Sequence, residues 1–194
     1  MKDEGKFSSE VARAHGANWL QWLGHIKDKP AYGLELGTWL GESAEWMLDN
    51  IFTNPLSEYH CVDTFEGSEE HRLAGIDCSV CEAETRKRLE RFGGREIILK
   101  MRTETALRQF LKDYQFDFIY VDAAHDALNV LSDSVLSWGL LKAGGVMVWD
   151  DYAWTVMADE LDRPKMAVDS FIAIYGRQIE ILGMGWQVAV RKIA

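Results

Sequence analysis

The spacing of apolar positions changes repeatedly along the chain, and each change marks an element. Residues 8–28 place Val11, Ala14, Trp19, Trp22, Leu23 and Ile26 at helical intervals, with Ser8 or Ser9 as a cap. Pro30 then bars continuation. "AYGLELG" (31–37) reads as a first strand, followed by a helix over 42–52. "EYHCVD" (58–63) is a second strand, and the helix over 81–92 stops at Gly93-Gly94. A third strand (96–101) precedes a helix over 104–114. "FDFIYVD" (116–122) is nearly all apolar, as when both faces of a parallel strand are covered. A helix over 127–141 ends at Gly144-Gly145, and 146–150 is a fifth strand. The helix over 163–176 carries Pro164 in its first turn. Strands 177–182 and 186–193 are separated only by "GMG", too short for a helical crossover, so they pair antiparallel.

Five β–α units closed by a hairpin describe a doubly wound α/β fold with a seven-stranded, mostly parallel sheet. Residues 1–194 read as a single domain, with an N-terminal helical segment at 1–29 and an insertion at 64–84 that could act as a lid. In such sheets the ligand sits beyond the carboxyl ends of the strands, near the switch point. Four stretches stand there: 35–41, 63–67, 122–125 and 150–152.

In "LELGTWLGES", Gly37 and Gly41 straddle the turn from the first strand into its helix, where glycine lets the backbone approach a ligand. Trp39 occupies the second glycine position of a dinucleotide fingerprint, which weakens a dehydrogenase reading. Asp63 ends the second strand in a position suited to ribose hydroxyls, although aspartate also serves ordinary turns. Asp122 and the tandem Asp150-Asp151 end two strands expected to be neighbours. Any one alone would cap a helix, but three carboxylates in one small volume call for a hard divalent cation, magnesium above all. His125 lies near them and could take a proton from a substrate hydroxyl.

Charge narrows the class. The net charge of −10 argues against a nucleic-acid surface and suits a cationic ligand. No apolar run approaches the roughly 20 residues of a membrane helix, and no secretory leader is evident, so a cytoplasmic location is expected. The odd count of cysteines, Cys61, Cys78 and Cys81, favours reduced thiols over disulfides. Only His71 lies near the CxxC, short of a structural zinc set. The eight tryptophans leave room for a homodimer surface.

"GLELGTWLGESAEWM", "VDTFEG", "FDFIYVDAAH" and "LLKAGGVMVWDDY" together resemble the class I S-adenosylmethionine-dependent methyltransferases. The nearest branch is the metal-dependent O-methyltransferases of the catechol and macrocin types. The likeness runs from about residue 31 to the C-terminus. It implies that Glu35, Gly37, Gly41 and Ser43 form the cofactor turn, that Asp63 holds the ribose, and that Met101, Arg102 and Thr103 lie along the adenine. Asp122, Asp150 and Asp151 would bind the metal, with Asp122 also serving the cofactor side and, with His125, catalysis. His125 stands where the catechol enzymes carry a lysine base. The implied reaction is methyl transfer to the hydroxyl of a small-molecule acceptor. Its site would draw on the N-terminal helix, the insertion and 152–164, with Tyr152, Trp154 and Met157 as an apolar wall.

Two alternatives stand beside it. One is a metal-dependent hydroxylase or hydrolase on the same fold; iron oxygenases, however, usually want two histidines and a carboxylate, and only His125 stands near the three aspartates. A non-catalytic S-adenosylmethionine-binding module would not need the intact carboxylate set.

Overall fold

A computed structural model describes residues 7–110 and 115–193. The elements follow in chain order: α1 (Phe7–Leu23), β1 (Tyr32–Leu36), α2 (Glu42–Asn50), β2 (Glu58–Asp63), α3 (Glu69–Leu73), α4 (Cys81–Leu89), β3 (Glu96–Lys100) and α5 (Thr103–Gln109). Then come β4 (Phe116–Val121), α6 (Ala127–Trp138), β5 (Leu141–Trp149), α7 (Lys165–Tyr175), β6 (Ile179–Met184) and β7 (Val188–Lys192). One seven-stranded sheet runs in the order β3-β2-β1-β4-β5-β7-β6. Strands β1 to β5 pair in parallel, and β7 pairs antiparallel with both β5 and β6.

The near-continuous apolar strands are explained by burial on both faces. Along β4, Ile119 and Val121 pack toward Ala106, Val130, Val168 and Phe171 of α5, α6 and α7. Phe118 and Tyr120 face the other way, toward Trp19, Met47 and Leu89 of α1, α2 and α4. The period of two in side-chain direction divides one strand between two cores. Among the described residues, no helix is long and apolar enough to cross a membrane.

Several boundaries differ from the sequence reading. α1 stops at Leu23, and residues 24–28 form turns rather than another helical turn. Ser8 and Ser9 lie in α1, but their side chains fall outside the described ones. The helix expected over 104–114 closes at Gln109, and residues 111–114 lie outside the described residues. β5 begins at Leu141, before the glycines expected to end α6. Gly144 has φ 82°, and the register shifts between Phe116 and Phe118, so the glycine pair makes a bulge within the strand. In the hairpin, Gly183 is a strand residue and the turn falls at 185–187. A Cβ on Gly183 would sit 2.7 Å from the Trp22 ring, so the apparent turn glycine lets α1 lie on the sheet. The insertion 64–84 holds α3 and the start of α4.

Candidate active site

The switch point of the sheet lies between β1 and β4, whose carboxyl ends are tied by the Asp122 N–H to the Leu36 carbonyl (2.8 Å). Gly37, with φ 88°, continues from β1 so close to β4 that a Cβ would stand 2.0 Å from the Asp122 carbonyl oxygen. Only glycine fits there. Trp39 (φ 45°) and Gly41 (φ 76°) keep the turn tight, and Gly41 caps α2 without a side-chain bond.

Asp63 holds this turn. Its Oδ2 accepts the N–H groups of Thr38 and Trp39, both at 2.7 Å, and its Oδ1 accepts that of Phe65 at 2.7 Å. A carboxylate has about four lone-pair positions, so these three bonds leave room for a further donor. Glu35 lies fully buried behind the turn, where its Oε1 accepts the Ser43 hydroxyl at 2.6 Å. Burial pushes its carboxyl up to about 7, against the pull of the hydrogen bond from Ser43.

The turn opens onto a cavity of about 1180 Å³. Of the residues expected at the cofactor, Gly37, Ser43, Asp63, Met101, Arg102, Thr103 and Asp122 line it. Glu35 and Gly41 shape the turn from behind. Thr103 donates its hydroxyl to Oδ1 of Asp133 at 2.8 Å, which seats the start of α5 against α6. The insertion supplies one wall through Phe65, Gly67, His71 and Cys78, with the His71 ring 5.0 Å from that of Trp39. All three cysteines are buried and free, and Cys78, Cys81 and His71 form no metal-ligating group among the described residues.

At the far end of the cavity the registers of β4 and β5, which pair Val121 with Trp149, bring Asp122 beside Asp150-Asp151. Asp151 turns back with φ 53°, a conformation that strains a non-glycine residue and aims its carboxylate at His125. Nε2 of His125 lies 2.8 Å from Oδ2 of Asp151, and the Trp186 indole donates to Oδ1 at 3.1 Å. The His125 ring is backed by Trp154 at 4.6 Å. Ligand atoms of Asp122, His125 and Asp151 lie within 4.8 Å of one another, a span that suits one divalent ion. Asp150 faces elsewhere: Oδ2 accepts the Tyr120 hydroxyl and Oδ1 the Asp151 N–H at 2.7 Å. Burial, then repulsion from Asp150 and Asp151, holds the Asp122 carboxyl well above the usual range. Burial and Asp151 likewise raise Asp150, opposed by the bond from Tyr120.

Tyr152, Trp154 and Met157 were expected as an apolar wall. Trp154 and Met157 line the cavity, whereas the Tyr152 hydroxyl donates to Asp169 of α7 at 2.8 Å. His15, Tyr120 and Trp186 line the cavity without having been singled out from sequence. Tyr120 lies on the same strand face as Asp122, two residues away, and that spacing was the available signal. His15 and Trp186 reach the site only through the docking of α1 and the hairpin.

Residues 34–152 match the family described as "Methyltransferase domain". No curated protein matches the sequence. Among solved structures, the chain is similar to an O-methyltransferase from Bacillus cereus in complex with SAH, at 18% identity and TM-score 0.63, covering 99% of this chain and 93% of that one. It is similar to the SAH-bound methyltransferase PaMTH1 of Podospora anserina, at 20% identity and TM-score 0.63, covering 100% and 89%. It is also similar to an rRNA methylase from Streptococcus thermophilus, at 12% identity and TM-score 0.63, covering 93% and 96%. Identities this low speak for the fold.

Proposed function

The chain belongs to the methyltransferase domain family, and on that premise we propose that it moves the methyl group of S-adenosylmethionine to a hydroxyl oxygen of a small acceptor. The observation that carries this reading is a single cavity of about 1180 Å³ joining the glycine turn to the cluster of Asp122, His125 and Asp151. Such a cavity exceeds the usual range of about 300–1,000 Å³ for small-ligand sites and so has room for two molecules.

The lining fits both groups. Carboxylates of Asp63 and Asp122 suit a ligand that carries sulfonium and ammonium charges. The oxygens of Asp122 and Asp151 suit a hard divalent cation such as magnesium, and the imidazole beside them could serve as a third ligand or as a proton acceptor. We assign His125 the proton. When bound, S-adenosylmethionine supplies an electrophilic methyl and a divalent cation supplies Lewis acidity toward the acceptor oxygen.

The chain's own residues then do the following. Gly37 and the Asp63-anchored amides of Thr38 and Trp39 shape the cofactor end. Trp154 and Trp186 flank the cluster, the first against the His125 ring and the second through its bond to Asp151. His125 takes the proton of the acceptor hydroxyl at Nε2, the ring nitrogen that faces the cluster, and the Asp151 carboxylate beside it stabilises the imidazolium that forms. The O–H and S–CH₃ bonds break, the O–CH₃ bond forms, and no covalent enzyme intermediate is needed.

The test is S-adenosylmethionine binding by calorimetry, together with methyl transfer to a library of hydroxylated acceptors with and without chelator. Absence of binding would overturn the donor. Full activity after chelation would overturn the cation while leaving the donor standing.

A further inference from the structure

Behind the cluster, a buried hydrogen-bonded chain runs from α1 to Asp150. The Trp19 indole N–H donates to Oε1 of Gln187 at 2.9 Å. Nε2 of Gln187 donates to the Tyr120 hydroxyl at 3.1 Å, and that hydroxyl donates to Oδ2 of Asp150. Trp19 is fully buried, and Tyr120 and Gln187 are 1% and 4% exposed.

The polarity of this chain is forced from its far end. An indole nitrogen donates and cannot accept. It therefore fixes which end of the Gln187 amide faces it and leaves the NH₂ for the phenol. The phenol oxygen already accepts, so its hydrogen goes to Asp150. With Oδ1 of Asp150 taken by the Asp151 N–H, both oxygens of the carboxylate are held. Without its donor, a carboxylate beside two like charges would rotate away from them. α1 reinforces the arrangement by packing the Trp19 ring edge-on to Tyr120, with centroids 5.7 Å apart. The glycine turn is anchored separately, by Asp63.

We infer that Tyr120, oriented by Gln187 and Trp19, is a positioning residue that holds the Asp150 carboxylate in place beside Asp122, His125 and Asp151, so that the arrangement of the reaction centre depends on the docking of α1. This rests on the reading of that cluster as the reaction centre.

The experiment compares the full chain with Tyr120→Phe, Gln187→Glu and Trp19→Phe. Tyr120→Phe removes one hydroxyl. Gln187→Glu keeps the shape and the acceptor for Trp19; once its carboxyl is ionised, at a pH above its burial-raised titration, it donates nothing to Tyr120 and draws the phenol hydrogen away from Asp150. The Trp186 indole N–H, bonded to Asp151, is followed by ¹⁵N–¹H NMR. Mn²⁺ affinity is measured from the electron paramagnetic resonance of the free ion, and S-adenosylhomocysteine affinity by calorimetry. Tyr120→Phe should shift the Trp186 cross-peak. It and Gln187→Glu should each weaken Mn²⁺ binding about tenfold, because Asp150, though not one of the three ligating groups, accepts the Asp151 N–H and so helps hold that ligand. Affinity for S-adenosylhomocysteine should stay at the wild-type value, which a general loss of structure would not allow. An unmoved Trp186 cross-peak in Tyr120→Phe overturns the inference, as does unchanged Mn²⁺ affinity in both variants. If Tyr120→Phe does not fold, an unmoved cross-peak in Trp19→Phe overturns it instead. A wild-type protein that binds no Mn²⁺ overturns the cation reading, and the cross-peak alone then decides the positioning role.

Discussion

Nε2 of His125 meets Oδ2 of Asp151 at 2.8 Å because the Asp151 backbone turns into the left-handed region, with φ 53°. That conformation costs an L-residue about 1–2 kcal/mol, and the carboxylate it presents also faces two like charges.

Asp151→Gly should therefore raise stability by about 1 kcal/mol while abolishing methyl transfer by at least about 100-fold. Urea unfolding and the rate of S-adenosylhomocysteine formation would be read on the same preparation. A destabilised variant would remove the argument that the site is strained for function.

Gly37 and Gly75 both have positive φ, at 88° and 69°, but a Cβ on Gly37 would strike the Asp122 carbonyl whereas one on Gly75 would meet nothing within 4 Å. Gly75→Ala should cost about 1 kcal/mol and leave S-adenosylhomocysteine binding intact. Gly37→Ala should cost more than about 2 kcal/mol and abolish binding, because the ends of β1 and β4 must part. Equal costs at the two positions would contradict the close approach.

Three backbone N–H groups converge on Asp63. Asp63→Ala strands them and should weaken S-adenosylhomocysteine binding at least about tenfold, with a stability loss of about 1–3 kcal/mol. Asp63→Asn keeps one acceptor oxygen and should fall between the two. Calorimetry on both variants would check the order.

Glu35 has its carboxyl raised from 4.5 to about 7 by burial. Between those values the folded chain retains a proton that the unfolded chain has released. Stability from this group is thus fully present below about pH 4.5, declines as pH rises, and levels above about pH 7, a fall of about 3 kcal/mol. Glu35→Gln should lack this decline. Subtracting its denaturation curves from those of the wild type across pH 4 to 8 isolates the contribution, and a flat difference would refute it.

The alternation of strands and helices, the pairing of the last two strands and the gathering of polar residues at the carboxyl ends were all legible in the sequence. They depend on local period, on loop length and on a topological rule, and each is a property of the chain read in order. The sequence likewise brought Asp122 and the tandem Asp150-Asp151 to adjacent strand ends, because parallel register needs only the strand assignments. It could not tell the two aspartates apart. Asp151 faces His125 because the chain leaves β5 through a left-handed residue, and Asp150 faces Tyr120 because α1 and the hairpin bring Trp19 and Gln187 up behind that phenol. Gly183 read locally as a turn and proved to be the floor on which Trp22 rests. Local pattern determines which elements form and which strand ends meet. Where each carboxylate points is decided by contacts between residues as much as 168 positions apart, and those exist only once the chain has folded.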